Sequence, residues 1–189
     1  MKEKLAEEGG KPVRKDVLNF VPTEADVGRE EIDAVVQILN SGKLSQLASE
    51  KVGEFEEAFA RYYGVDHAIA VSSGTTALHV SLSATGLGPS NSVVLPPYTF
   101  MATANAVLHQ NCVPIFADVD PATYTLDPEH LEKTVSRKTG AVVPVHILGQ
   151  PADMEAIMEI AKERNLRVVE DCEKAHGSEW RGRRVGAIG

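Results

Sequence analysis

No stretch of the chain approaches the ~20 consecutive apolar residues that a helix needs to cross a bilayer. The start, Met1 to Arg14, is charged and lacks an apolar centre, so no secretory signal is read there. Cysteine is scarce. Cys112 and Cys172 stand far apart without metal-ligand spacing, so they read as reduced thiols in a cytoplasmic protein, and no metal is expected. Basic excess is missing too: the net charge is −8, which argues against a nucleic-acid-binding surface. An acidic balance leaves a phosphorylated small ligand open, because backbone N–H groups and local fields bind phosphate. Internal repeats and low-complexity linkers are also lacking.

What is there is a globular composition: 189 residues, 43% hydrophobic and 24% charged, long enough for one domain with a real core. Residues 1–15 mix Lys, Glu and two adjacent glycines and read as a disordered tail, leaving 16–189 for the domain. Pro22-Thr23-Glu24 offers a helix start, and Ile32, Val35, Val36 and Leu39 follow at helical spacing up to Asn40-Ser41-Gly42. A second amphipathic helix carries Val52, Phe55, Phe59 and Tyr62, with Gly64 as its stop. Strands and helices then alternate. Strands are expected over 67–72, 93–96, 113–117, 141–146 and 167–171. Helices are expected over 75–85, 99–109, 152–164 and within 126–137. Helices of this length between strands imply crossovers and a mainly parallel sheet, an α/β fold. After Asp171 the chain runs through Trp180 and a basic patch, Arg181-Gly182-Arg183-Arg184, with no covering helix. The domain is therefore expected to be an incomplete piece.

Three turns carry candidate chemistry. Ser73-Gly74-Thr75-Thr76 sits between a strand and a helix, where unpaired N–H groups and the helix dipole suit a phosphate; a plain N-cap would use the same residues. Phe100, at the next strand-to-helix turn, is placed to stack on a planar ring or to enter the core. Asp171 closes an apolar run at a strand end, where a buried carboxylate needs a positive partner. A protonated pyridine nitrogen would serve, as would a salt bridge or a helix cap. His146 and His176 lie near the same edge and read as hydrogen-bonded structural residues. Phosphate cradle, stacking aromatic and strand-end Asp, in that order, are the parts of a pyridoxal phosphate (PLP) site.

The chain resembles the nucleotide-sugar aminotransferases of the DegT/StrS type, PLP enzymes of fold type I. The matching pieces are Phe55-Glu56 with Phe59-Ala60, His67-Ala68-Ile69-Ala70-Val71, Ser73-Gly74-Thr75-Thr76-Ala77-Leu78-His79, and Pro97-Tyr98-Thr99-Phe100 with Ala102-Thr103. Further on come Phe116-Ala117-Asp118-Val119-Asp120, Pro144-Val145-His146, Gly149-Gln150-Pro151-Ala152-Asp153-Met154, Glu170-Asp171, His176-Gly177, and Gly182-Arg183 with Val185-Gly186. The likeness covers about residues 20–189. It implies a three-layer α/β/α large domain, here ending before the small C-terminal domain. Gly74, Thr75 and Thr76 would hold the PLP phosphate, Phe100 would stack on the ring, and Asp171 would pair with the ring nitrogen. The implied reaction moves an amino group, usually from glutamate, to a keto sugar on a nucleoside diphosphate. Amino-sugar and polysaccharide biosynthesis would be the setting, and a homodimer the assembly.

The chain departs from that pattern in several places. The Schiff-base lysine of the family is absent from residues 1–189 and is expected beyond Gly189, so this piece alone is expected to be inactive. Glu173 stands where the family usually has a small Ala against the cofactor ring, and Lys174 where Gln is common. A carboxylate under the ring would disturb cofactor binding unless Lys174 or another cation pairs with it. Lys174 is assigned to cofactor binding; three residues past Asp171, it stands beside the ring and not at its reactive carbon. Ser90-Asn91-Ser92 replaces a usual Gly-Asp-Glu turn, and Leu47-Ala48 a usual Gly-Pro. A sugar dehydratase of the same family, with His in place of the lysine, and a non-catalytic homologue are the rival readings.

Overall fold

The computed structural model describes residues 27–189. The tail expected over 1–15 and the helix start at Pro22-Thr23-Glu24 lie outside them. Two units are described separately, one ending at Ser49 and one running Glu50–Gly189. In the first, helix α1 (Arg29–Ser41) opens with Glu30 and Glu31 at the positive end of its dipole. The Glu31 carboxylate accepts from the Gly28 N–H at 2.7 Å. The helix closes on Gly42, whose φ of 68° frees its N–H to reach the Leu39 carbonyl. Ile32, Val35, Val36 and Leu39 are all exposed on this helix.

The second unit begins with α2 (Lys51–Tyr63), ended as expected by Gly64 in the left-handed region. It continues through α3 (Gly74–Ala84), β1 (Ser92–Leu95), α4 (Met101–His109), β2 (Val113–Phe116), α5 (Pro128–Thr134) and β3 (Thr139–Val142). A short 3-10 turn (Ile147–Gly149) follows, then α6 (Met154–Arg164), β4 (Arg167–Val168) and the hairpin β5 (Glu179–Trp180) and β6 (Arg183–Arg184). Asp127 and Asp153 cap α5 and α6, accepting from Glu129 and Ala156 N–H respectively. The sheet has the order β2-β1-β3-β4, and every pair in it is parallel. The α/β expectation holds.

The apolar runs of the strands follow from burial on both faces. Val93 and Leu95 point one way, packing with Leu78, Leu82, Ala106, Val107 and Val143 from the α3 and α4 side. Val94 points the other way, into Leu126, Leu131, Met154 and Ile157 from the α5 and α6 side. The result is three layers, helices on each face of a parallel sheet.

One local expectation needs correction. Residues 67–72 do not form a strand. A strand exists only as one side of a ladder, and here the Ala70 N–H is taken by the Glu56 carboxylate at 2.7 Å. Ile69, 78% exposed, shows how little covers this segment. Within the basic patch, Arg181 (φ 49°) and Gly182 (φ 79°) form the two-residue turn of the β5–β6 hairpin, both in the left-handed conformation that matches strand twist, while Arg183 and Arg184 are β6 itself. Asn165 likewise adopts φ 53° to end α6.

Among the described residues, no helix is long and apolar enough to cross a membrane. The two-faced core predicts that Leu131→Ala, at a fully buried position, lowers unfolding free energy by about 2–5 kcal/mol. Val80→Ala, on the exposed side of α3, should change it by less than about 0.5 kcal/mol. Urea denaturation read by circular dichroism checks both, and equal losses at the two sites would contradict this packing.

Candidate functional site

Helix α3 begins with a Ser cap. Ser73 is extended (φ −165°, ψ 163°), which lets its Oγ accept from the Thr76 N–H at 3.2 Å. The Thr76 hydroxyl lies 3.0 Å from Ser73 Oγ and 3.2 Å from Ser72 Oγ. The cap reading and the anion reading are therefore not exclusive. Ser73 spends its oxygen on the third N–H of the turn, while the N–H groups of Gly74 and Thr75 have no acceptor within the helix.

Asp171 is built into the end of the sheet. Its N–H donates to the Pro144 carbonyl at 2.9 Å and its carbonyl accepts from the His146 N–H at 3.0 Å, a parallel bridge that prolongs β3 and β4. The side chain belongs to a residue only 7% exposed. Oδ2 accepts from the Thr103 hydroxyl at 2.7 Å, and Oδ1 from the Glu173 N–H at 3.3 Å. Thr103 gives its single proton to Asp171, so at 2.8 Å it accepts from Thr99. A directed hydroxyl chain, Thr99 to Thr103 to Asp171, thus runs from the residue just ahead of the α4 N-cap, through the first turn of α4, to the strand end. Both threonines stand in the Pro97–Thr103 motif. Their i, i+4 spacing at a helix start was the signal available for pairing them.

The alternatives held open for Asp171 find no support. Among the described residues no Lys or Arg forms an ion pair with it. It precedes no helix; its bond to the Glu173 N–H closes a local turn instead. Two carboxylate oxygens with one good donor and one long one retain acceptor capacity.

Phe100 is the N-cap residue of α4 and is 69% exposed, so the core alternative for it fails. Glu173 brings the two remaining turns together. Its backbone N–H touches Asp171, while its Cγ and Cδ lie 3.7 Å from where a Cβ on Gly74 would stand. Lys174 is well exposed, with its ammonium 3.9 Å from Glu173 Oε1. A cavity of about 510 Å³ beside α2 includes Ser73 and Gly74 in its largely apolar wall but not Asp171.

A sequence model of the DegT/DnrJ/EryC1/StrS aminotransferase family matches residues 25–189. The chain belongs to this family. It is 44% identical over 163 residues to the spore coat polysaccharide biosynthesis protein SpsC of Bacillus subtilis, covering 86% of this chain and 41% of that protein. It is 43% identical over 159 residues to a GDP-perosamine synthase of Caulobacter vibrioides, covering 84% of this chain and 43% of that protein. Among solved structures, the PLP-form of a putative sugar aminotransferase from Streptococcus pneumoniae superposes with a TM-score of 0.81 at 26% identity, over 86% of this chain and 45% of that one. The chain spans less than half the length of each of these proteins.

In this DegT/DnrJ/EryC1/StrS chain the residue before Asp171 does a separate task. Glu170 Oε2 sits 3.0 Å from His146 Nε2 and accepts from the Gly186 N–H at 2.8 Å. Its Oε1 accepts from the N–H groups of Ile188 and Gly189 at 2.8 and 2.7 Å. The Ala152 N–H donates to His146 Nδ1 at 3.0 Å, so the ring proton is on Nε2 and points at Glu170. Fully buried and spent on both nitrogens, His146 is the structural residue expected. His176 is similarly engaged, its Nδ1 3.0 Å from the Tyr63 hydroxyl. His146, Glu170 and Cys172 place potential ligand atoms within 4.8 Å of one another. Hydrogen bonds already occupy the first two. Burial, reinforced by the charges of Glu170 and Asp171, pushes the Cys172 thiol far up, so it stays protonated. The cluster is a clasp holding residues 186–189 to the strand end.

Burial alone would raise the Glu170 carboxyl, but the His146 bond and the three backbone N–H donors outweigh it and hold the group below the usual range. A folded-state pKa below the unfolded one stabilises the fold above the unfolded value, near ~4.3, and that stability is lost as pH falls through the lower folded value. The urea midpoint should therefore drop as pH is lowered from about 5 through that range. Glu170→Gln should have a lower midpoint at pH 7 and a shallower drop. Parallel profiles for the two proteins would contradict the clasp.

Proposed function

We infer that the chain is the N-terminal portion of a PLP-dependent aminotransferase. The reaction transfers an amino group, with glutamate as donor, to a keto sugar carried on a nucleoside diphosphate. Family membership and the relatives' roles in spore coat polysaccharide biosynthesis and GDP-perosamine synthesis support amino-sugar biosynthesis as the setting. A homodimer in the cytoplasm is the working assembly. Residues 16–189 are taken as the large-domain portion of that enzyme.

The donor set fits the cofactor. The first turn of α3 offers Gly74 and Thr75 N–H groups, with the Thr75 and Thr76 hydroxyls beside them, to a phosphate dianion. Asp171 offers a nearly closed carboxylate with acceptor capacity to spare, the partner a protonated pyridine nitrogen needs. Phe100 presents an exposed ring to stack on the pyridine, and Lys174 lies within reach of the Glu173 carboxylate at the rim. PLP supplies an electron sink for the carbanion formed during amino transfer. Bound there, the phosphate would be held by the Gly74 and Thr75 N–H groups, the ring would be stacked by Phe100, and its nitrogen's proton would be kept in place by Asp171. Thr103, fed by Thr99, holds the carboxylate oxygen at a fixed point. No residue of 1–189 is assigned as the Schiff-base lysine.

The observation that carries this reading is Asp171: buried, unpaired with any cation among the described residues, and one residue's reach from the α3 turn. The test uses the whole protein, supplied with PLP, glutamate and a panel of nucleoside-diphosphate keto sugars. The expected result is 2-oxoglutarate release in step with an amino sugar detected by mass spectrometry. Asp171→Ala should cut cofactor affinity about tenfold or more and abolish turnover. Normal turnover in Asp171→Ala, or no amino sugar from any keto sugar of this class, would overturn the reading.

A further inference from the structure

Thr99 and Thr103 stand on either side of Phe100, the N-cap residue of α4. Thr103 is 1% exposed, so solvent cannot substitute for the partners of its hydroxyl. That hydroxyl has one proton, which Asp171 Oδ2 accepts at 2.7 Å. The half-buried Thr99 hydroxyl, 2.8 Å away, therefore donates to Thr103 and settles which way the Thr103 proton points. Asp171 Oδ2 is thereby committed to the helix. Oδ1 meets only the Glu173 N–H, at 3.3 Å, and is the oxygen with acceptor capacity left. Resting on the cofactor reading above, we propose that Thr99 and Thr103 are positioning residues for the ring nitrogen: their hydroxyls hold Oδ2, assign Oδ1 to the nitrogen, and so keep the proton between them on the ring. Two effects act in the same direction. With one oxygen tied, the carboxylate plane is fixed and the other oxygen keeps its line to the nitrogen. A carboxylate that already accepts a bond at one oxygen is also a weaker competitor for a proton at the other. Thr99 strengthens both effects, because a hydroxyl that accepts a bond donates a stronger one. The helix start that presents Phe100 to the ring face thus also governs the ring nitrogen.

The test reads the ratio of pyridinium to neutral ring nitrogen from the ¹⁵N shift of labelled pyridoxamine 5′-phosphate bound to the whole protein. The shift is followed along an ascending pH series that starts where the free cofactor's ring nitrogen is neutral. Thr103→Val, which matches the side chain in shape but lacks the hydroxyl, should lower the ratio about tenfold. Thr103→Ser, which keeps the hydroxyl, should match the wild type. Thr99→Val should move the ratio the same way by a smaller factor, and at a half-buried position it carries the test if Thr103→Val does not fold. An unchanged ratio in either valine variant overturns the proposal and leaves the cofactor reading intact. So does an equal loss in Thr103→Ser and Thr103→Val, which would mean packing and not the hydroxyl. A neutral ring nitrogen in the wild type overturns both.

Discussion

The bond from the Thr103 hydroxyl to the Asp171 carboxylate joins the first turn of α4 to the end of the sheet, and the site depends on it. A buried carboxylate is costly unless its oxygens are satisfied, and here satisfaction is partial by design of position. One oxygen is fixed by Thr103, the other only loosely by the Glu173 N–H. Backbone bonds to Pro144 and His146 hold the strand end in place. The parallel order β2-β1-β3-β4 makes this possible, because it delivers successive strand ends and helix starts to one edge.

Glu170 and Asp171 are adjacent carboxylates with opposite fates. Glu170 turns into a ring of donors, His146 and three backbone N–H groups, and has nothing left to offer a ligand. Asp171 turns to the other side and keeps capacity in reserve. The alternation of side chains along an extended segment produces this division, one residue for the fold and one for the site. The same alternation places Cys172 beside the clasp, and the turn that follows brings Glu173 Cγ and Cδ to 3.7 Å from the Cβ position of Gly74.

Much of this was legible from residue types. The helices from 51 onward and the strands near 93, 113, 141 and 167 followed from periodicity and capping, because both faces of the sheet are buried and Asp127 and Asp153 announce their helices. The segment 67–72 was misread because strand character depends on a partner, which local sequence does not encode; Glu56 takes the Ala70 N–H instead. The hairpin at Arg181-Gly182 was hidden by its charges, though Gly at the second turn position was the clue. Gly74, Phe100 and Asp171 could be named from motif and resemblance. The Thr99–Thr103 chain, the Glu170 clasp and the reach of Glu173 to Gly74 could not, since each joins residues through tertiary packing.

The central claim is that Asp171 holds a proton on a pyridine nitrogen. The most direct measurement is the ¹⁵N chemical shift of the ring nitrogen in ¹⁵N-labelled pyridoxamine 5′-phosphate bound to the protein, at a pH where the free cofactor's ring nitrogen is neutral. The account predicts a pyridinium shift in the wild type and a neutral-pyridine shift in Asp171→Asn. A neutral ring nitrogen in the wild-type complex would contradict it.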